Sequence, residues 1–282
     1  MKQNVSTVGI DLAKKIFHLV GTDTTGKIVW RKRLTRNALA PFMAQLPPVT
    51  IGMEACGGAH YWARQCHHQG HRVKRMAPQC VKPYVQSNTN DMRDAEAIAE
   101  AVTRPTMRFV PLKDVDQQDL QALHRVRERL IGERTALINA VHGLMNEYGI
   151  VIHQGVSTFR QAVAEQLESE QDKLTPLSQE MFWRLVQECA TLEEPIAAYQ
   201  EKLDTLAKTH PESQRLMTIP GIGPITATAL IAAVGDVGVF KHGRQFAAWL
   251  GLVPKQHSTG GQTHLLGISK RGDRYLRKLL IH

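Results

Sequence analysis

The stretch Val8-Gly9-Ile10-Asp11-Leu12-Ala13-Lys14-Lys15 is an apolar run that ends in one carboxylate, followed by small and basic residues. It reads as a β-strand that carries Asp11 into a sheet, with its side chain on one face. A lone acid inside a strand is costly unless something positive sits against it. Three more acids follow in comparable settings: Glu54, Asp91 and Asp94. Four such carboxylates point to shared divalent metal ions, and the basic segments around them point to a nucleic-acid substrate.

Working outward, residues 5–12 read as the first strand. Asp23-Thr24-Thr25-Gly26-Lys27 is a turn, and residues 28–34 alternate as a second strand, which makes a hairpin. Residues 37–46 form a short helix closed by Pro47-Pro48. Residues 49–54 are an apolar strand ending in Glu54, 59–70 a helix stopped by Gly70, and 72–76 a short basic strand. The order β-β-α-β-α-β belongs to an α/β domain. It matches a ribonuclease-H-like arrangement, with an acid on the first strand and a second acid ending a later one.

Asp91-Met92-Arg93-Asp94 follows Ser87-Asn88-Thr89-Asn90 and opens an Ala-rich helix, with Asn90 or Asp91 as its N-cap. Asp91 and Asp94 are three apart and share one helical face. They could merely complement the helix dipole. They could equally offer hard oxygens to Mg2+, which keeps waters and substrate phosphates as the rest of its shell. Two metals about 4 Å apart would clamp a phosphodiester displacement. The cluster Cys66-His67-His68-Gln69-Gly70-His71 invites a zinc reading, but no second ligand pair matches it, so surface histidines near a phosphate are expected.

The net charge of +9 and a pI of about 9.5 favour a polyanionic partner. The hydrophobic fraction of 43% is that of a globular protein. No apolar run reaches the roughly 18 residues of a membrane span. Met1-Lys2-Gln3-Asn4-Val5 opens no signal peptide, so no membrane partner and a cytoplasmic location, at the nucleoid when active, are expected. Cys56, Cys66, Cys80 and Cys189 show no CxxC pairing, so neither a zinc ribbon nor a disulfide frame is indicated.

Residues 112–148 are long, charged and helical, with Leu123, Leu130, Leu137 and Leu144 seven apart and Ile131, Ile138 and Met145 beside them. A second helix carries Phe182, Leu185, Cys189, Leu192, Ile196, Tyr199, Leu203 and Leu206 at steps of three and four, an a/d seam. Pro195 is expected to kink or divide it. A helical hairpin within one chain and an intermolecular coiled coil both fit. Arg125, Arg127, Arg129 and Arg134 form a stripe interrupted by Glu128 and Glu133, an ordinary solvated face.

In the last third, Ile219-Pro220-Gly221-Ile222-Gly223-Pro224 is a glycine turn between two helices. It has the look of a helix-hairpin-helix, in which Gly221 and Gly223 would offer backbone N–H groups to a DNA phosphate. The polar loop Lys255-Gln256-His257-Ser258-Thr259-Gly260-Gly261-Gln262 exposes Ser258 or Thr259, and Lys270-Arg271 begins a basic segment after it. The chain stops at His282 inside a helical pattern, so a truncated C-terminus is expected.

Gly9-Ile10-Asp11-Leu12-Ala13-Lys14, Glu54-Ala55, Asp91-Met92-Arg93-Asp94-Ala95, Ile219-Pro220-Gly221-Ile222-Gly223 and Phe246-Ala247-Ala248-Trp249-Leu250-Gly251-Leu252-Val253-Pro254 together resemble the transposases of the IS-one-ten insertion-sequence family. Gln256-His257-Ser258-Thr259-Gly260-Gly261 and Gly267-Ile268-Ser269-Lys270-Arg271-Gly272-Asp273 look like its IS-eleven-eleven group. The resemblance implies a RuvC-like domain over 1–110 with a D-E-D-D tetrad of Asp11, Glu54, Asp91 and Asp94. It implies a coiled-coil middle over 111–211 and a mostly helical transposase domain over 212–282 with a serine nucleophile. It further implies Mg2+ or Mn2+, double-stranded donor and target DNA, a structured bridge RNA, and a dimer or tetramer with composite active sites. Members of the family read Ser-Gly where this chain has Ser258-Thr259-Gly260. Counting back from Gly260 selects Thr259, and chemical identity selects Ser258. Lys255, His257, Lys270 and Arg271 are expected near the phosphate on charge alone. The alternative is a metal-dependent, structure-specific nuclease that uses water with the same carboxylates.

Overall fold

The computed structural model describes residues 4–85, 90–152, 155 and 158–281, so the Ser87-Asn88-Thr89 lead into the acidic helix and His282 lie outside the described residues. The chain divides into two compact units, Met1–Asp114 and Val115–His282.

In the first unit β1 (Thr7–Asp11), β2 (Ile16–Thr22) and β3 (Ile28–Thr35) run into α1 (Arg36–Ala44). Then come β4 (Thr50–Glu54), α2 (Ala59–His68), β5 (Arg72–Met76), α3 (Pro78–Val81), α4 (Asp91–Ala101) and β6 (Phe109–Val110). The sheet order is β3-β2-β1-β4-β5-β6. β1 is parallel to β4, and β4 to β5, while β2 is antiparallel to both β1 and β3. The expected order is thus two strands short, lacking β2 and the two-residue β6. The turn at 23–27 joins β2 to β3, not the first strand to the second, because Ile16–Thr22 is itself a central strand.

β1 reads Thr-Val-Gly-Ile-Asp and β4 reads Thr-Ile-Gly-Met-Glu, aligned in parallel register with Ile10 beside Met53. Alternation sends their side chains to opposite faces. Val8, Ile10, Ile51 and Met53 are all fully buried with Phe17 and Leu19 beneath α1 and α2, against Leu39, Met43 and Trp62. Gly9 and Gly52 lie on the other face, where α4 packs. A Cβ at Gly9 would overlap the Ala95 carbonyl oxygen and stand 2.5 Å from the Ala99 amide nitrogen. One at Gly52 would come 2.9 Å from Val102 Cβ. The two glycines therefore let the helix backbone lie almost directly on the sheet.

In the second unit α5 (Val115–Glu147), α6 (Phe159–Ser169) and α7 (Pro176–Thr209) are followed by α8 (Pro211–Met217), α9 (Pro224–Val234) and α10 (Gly243–Leu250). A hairpin of β7 (Pro254–Gln256) and β8 (Leu265–Ile268) leads to α11 (Arg274–Ile281). Ile138, Val141 and Met145 of α5 pack with Phe182, Val186 and Cys189 of α7, the contact of a helical hairpin within one chain. The leucines spaced by seven do not all carry this core. Leu144 is 41% exposed, and the buried stripe runs one position round from the leucines, through His124, Ile138 and Met145, with Leu130 and Val141 beside it. Pro195 does not divide α7, which runs unbroken through it. α9 is rich in alanine and threonine, and packs on α5, α7, α8 and α11. Among the described residues no helix is long and apolar enough to cross a membrane.

Candidate active site

Asp11 is the last residue of β1 and Glu54 the last of β4. The parallel register that sets Ile10 beside Met53 sets these two acids side by side at the C-terminal ends of the strands, on the face that α4 covers. α4 brings the other two. Its N-cap is Asn90, whose Oδ1 accepts a hydrogen bond from the Arg93 N–H at 2.9 Å, so the helix starts at Asp91 with Asp91 and Asp94 in its first turn. One ligand oxygen from each of Asp11, Asp91 and Asp94 lies within 4.8 Å of the others.

The four acids act on one another electrostatically. Burial, then the charges of Asp94, Asp91 and Glu54, push the Asp11 carboxyl up to about 6 from the ordinary 3.8. Burial and then Asp94 push Glu54 up, and burial and then Asp91 push Asp94 up. Three clustered hard oxygens whose negative charges repel suit a hard divalent cation, which would relieve that repulsion. Cys56 stands just beyond Glu54. Its thiol is pushed up by burial first, then by Glu54 and Asp11, so it stays protonated and offers a hard ion nothing.

His18 is a neighbour that sequence reading missed. It sits opposite Asp11 in the β1–β2 ladder, with Nδ1 3.5 Å from Oδ2 of Asp91. The strand that carries it was the strand not recognised. The Cys66–His71 cluster holds no such role. Cys66 is buried under the sheet. His71 is 3% exposed rather than at the surface: its Nδ1 accepts from the Val49 N–H at 3.3 Å and its Nε2 pairs with the Met43 carbonyl at 3.0 Å.

In the second unit the loop read at 255–262 is the end of the β7–β8 hairpin. Gly260 and Gly261 have φ of 57° and 79°, and the Gln262 N–H donates to the Thr259 carbonyl at 3.0 Å. Two successive positive φ values make the primed turn that suits hairpin twist. Ser258 and Thr259 are exposed at this tip, and Ser258 Oγ accepts a hydrogen bond from Gln256 Nε2 at 2.9 Å. Lys255 and His257 lie on the same arm, both exposed. Lys270 and Arg271 lie at the hairpin's base instead. The Ser269 N–H donates to Val253 and the Lys270 N–H to Gly251, at 2.8 and 3.0 Å. Lys270 is the single described non-glycine residue with positive φ, 55°. Gly221, with φ of 88°, forms the turn between α8 and α9, and Gly223 is the N-cap of α9.

Comparison with known proteins supplies a further finding. Residues 8–150 match the family model of the DEDD transposases of IS110 elements, and residues 213–282 match that of the transposase IS116/IS110/IS902 family. The chain is 48% identical over 280 residues to a probable family 20 transposase of Pseudomonas aeruginosa, covering 99% of this chain and 83% of that protein. It is 44% identical to the transposase for insertion sequence element IS1111A of Coxiella burnetii, covering 99% of this chain and 77% of the relative. The transposase for insertion sequence element IS1328 of Yersinia enterocolitica is 43% identical, at 99% and 82%.

Proposed function

Because the chain belongs to the IS110 family of transposases, and so acts in DNA transposition, we propose that it cuts and rejoins DNA with a divalent cation held by Asp11, Glu54, Asp91 and Asp94 and with Ser258 as the nucleophile. The observation that carries this reading is the convergence of Asp11, Asp91 and Asp94 oxygens within 4.8 Å, with Glu54 in register beside Asp11. Mg2+ or Mn2+ bound there supplies Lewis-acid polarisation of a phosphodiester and stabilises charge on its oxygens.

Ser258 carries the covalent step. Its Oγ forms a bond to phosphorus, the bond from phosphorus to one deoxyribose oxygen breaks, and that oxygen leaves with the proton as a hydroxyl. Reversal on an exchanged strand reseals the backbone and conserves the bond energy. Exposure at a hairpin tip suits a nucleophile that must reach into a duplex, and the Gln256 side chain orients the hydroxyl. Lys255 and His257 are placed to meet phosphate beside Ser258. The strained, tightly hydrogen-bonded Lys270 and its neighbour Arg271 serve backbone binding at the hairpin's base. The turn at Gly221 and Gly223 offers a further phosphate contact. A net charge of +9 suits donor and target DNA together with a structured bridge RNA. The same reading has a dimer or tetramer, in which the tetrad of one protomer works with the serine of another.

Covalent capture tests it. With element DNA and Mg2+, wild-type protein should give a protein–DNA adduct on denaturing gels, and Ser258→Ala should give none. An adduct lost in Thr259→Ala but kept in Ser258→Ala moves the nucleophile by one residue. Cleavage without any adduct would replace the serine mechanism with hydrolysis. Mixing Asp11→Asn with Ser258→Ala protein should restore some recombination if the site is shared between protomers.

A further inference from the structure

The β1–β2 ladder places His18 opposite Asp11, and the β2–β3 ladder places Arg33 opposite His18. Side chains in one register row leave a pleated sheet on the same face. His18 therefore stands on the carboxylate face, next to Asp11. Its side chain is 12% exposed, whereas that of Asp91 is 66% exposed. The buried Nδ1 makes no hydrogen bond, although Oδ2 of Asp91 lies only 3.5 Å away. A buried polar nitrogen left without a partner is costly, and its persistence in a folded protein calls for a reason.

We propose that His18 is a positioning residue for the carboxylate site: its imidazole fixes the side chain of Asp91 so that the carboxylate turns toward Asp11 and Asp94 when a divalent cation binds. The proposal rests on the reading that these carboxylates hold a cation. His18 is not itself in the ligand group, which among the described residues comprises Asp11, Asp91 and Asp94. The division of labour follows from where each residue is anchored. Asp91 is the first residue of α4 and mostly open to solvent, the most exposed of the three clustered acids. His18 is mid-strand, in an inner strand of the sheet with a ladder partner on either side. A contraction of a few tenths of an ångström turns the 3.5 Å contact into a hydrogen bond from the ring N–H to the carboxylate. An imidazole suits the place better than lysine or arginine, because its neutral form donates without a fixed positive charge that would compete with the cation. Partners of this kind orient ligands in metal sites and typically change metal affinity about 10–100-fold when removed.

The test is Mn2+ binding to the full chain, followed by the electron paramagnetic resonance signal of free Mn2+, alongside thermal melting in EDTA. His18→Leu keeps the volume and removes the donor. His18→Asn places an amide nitrogen close to the position of Nδ1. His18→Leu should weaken Mn2+ binding by about tenfold or more, and His18→Asn should recover most of it. Wild-type affinity in His18→Leu, with binding lost in Asp11→Asn, overturns the role of His18 and leaves the carboxylate site standing. Wild-type affinity in Asp11→Asn overturns the carboxylate site, and the proposal falls with it. Equal melting losses in both His18 variants at unchanged Mn2+ affinity reduce His18 to a packing residue and overturn the proposal. Should His18→Leu fail to fold in EDTA, His18→Phe, which keeps a ring and removes the donor, takes its place: weakened binding that His18→Asn recovers supports the positioning role, and wild-type binding overturns it.

Discussion

Removing the charge of Asp11 should stabilise the metal-free protein. Its carboxyl binds a proton at about 6 rather than 3.8, first through burial and then through repulsion from Asp94, Asp91 and Glu54. A tenfold change in proton affinity is worth about 1.4 kcal/mol, so this interval sets a ceiling of about 3 kcal/mol. Asp11 is partly open to solvent, and screening reduces the cost of its charge to about 1–2 kcal/mol. The carboxyl holds its proton more tightly folded than unfolded. The penalty is therefore fully present above about pH 6, shrinks as pH falls, and is gone below 3.8, where both states are protonated. Asp11→Asn imitates the protonated form at every pH. Urea unfolding in EDTA should thus find Asp11→Asn about 1–2 kcal/mol more stable than wild type at pH 7.5, with the gap closing towards pH 4. Asp11→Asn no more stable than wild type at pH 7.5, or a gap that ignores pH, would refute the claim that the carboxylates are in mutual conflict.

Metal affinity should follow the same proton. Mn2+ binding measured by calorimetry should weaken steadily below about pH 6, as protons compete for Asp11, and a flat profile from pH 5 to 7.5 would count against Asp11 as a ligand. Gly9→Val should push α4 off the sheet, cost about 1–3 kcal/mol by overpacking, and lose Mn2+ binding with it; unchanged urea stability and binding would reject the close approach. In the second unit His124 is 2% exposed and pairs with Tyr275 Oη through Nδ1 and with Thr228 Oγ1 through Nε2, both at 3.0 Å. His124→Ala leaves a cavity and removes two buried hydrogen bonds, so urea unfolding should show a loss of about 2–4 kcal/mol with Mn2+ affinity unaltered.

The clustering of Asp11, Asp91 and Asp94, with Glu54 in register beside Asp11, was legible because each acid ends or opens a local pattern. Asp11 and Glu54 close apolar strands, and Asp91 and Asp94 open a helix behind a good N-cap. β2 was not legible for the reason that makes it central. Ile16-Phe17-His18-Leu19-Val20 is packed on both faces, so it lacks the polar alternation that marks a half-buried strand. With the strand went His18, the side chain proposed to position Asp91. The leucines of α5 misled in the opposite way. The sevenfold spacing holds, but its buried members are His124, Ile138 and Met145, one position round from the leucines, with Leu130 and Val141 beside them. The β7–β8 hairpin had a readable signal in Gly260-Gly261, a pair suited to two positive φ values, but its strands are short and exposed, and Leu265-Leu266-Gly267-Ile268 lacks the alternation of a half-buried strand.

The carboxylate site needs support from parts of the sheet that do no chemistry. Charged Asp11 costs about 1–2 kcal/mol, while on the opposite face of the same two strands Val8, Ile10, Ile51 and Met53 are each fully buried. One such side chain contributes about 1.5–3 kcal/mol, enough to offset the charge, so the strands can hold an unfavourable acid without local unfolding. The position of α4 is fixed in a different way. Ala95 and Ala99 rest against Gly9, and Ile98 and Val102 against Gly52, at backbone distance. Glycine and alanine have no rotamers to adjust, so the helix has little freedom to slide or lift. The separation of Asp91 and Asp94 from Asp11 is then set by backbone contact, and the side-chain rotamer of Asp91 is the freedom left for His18 to remove.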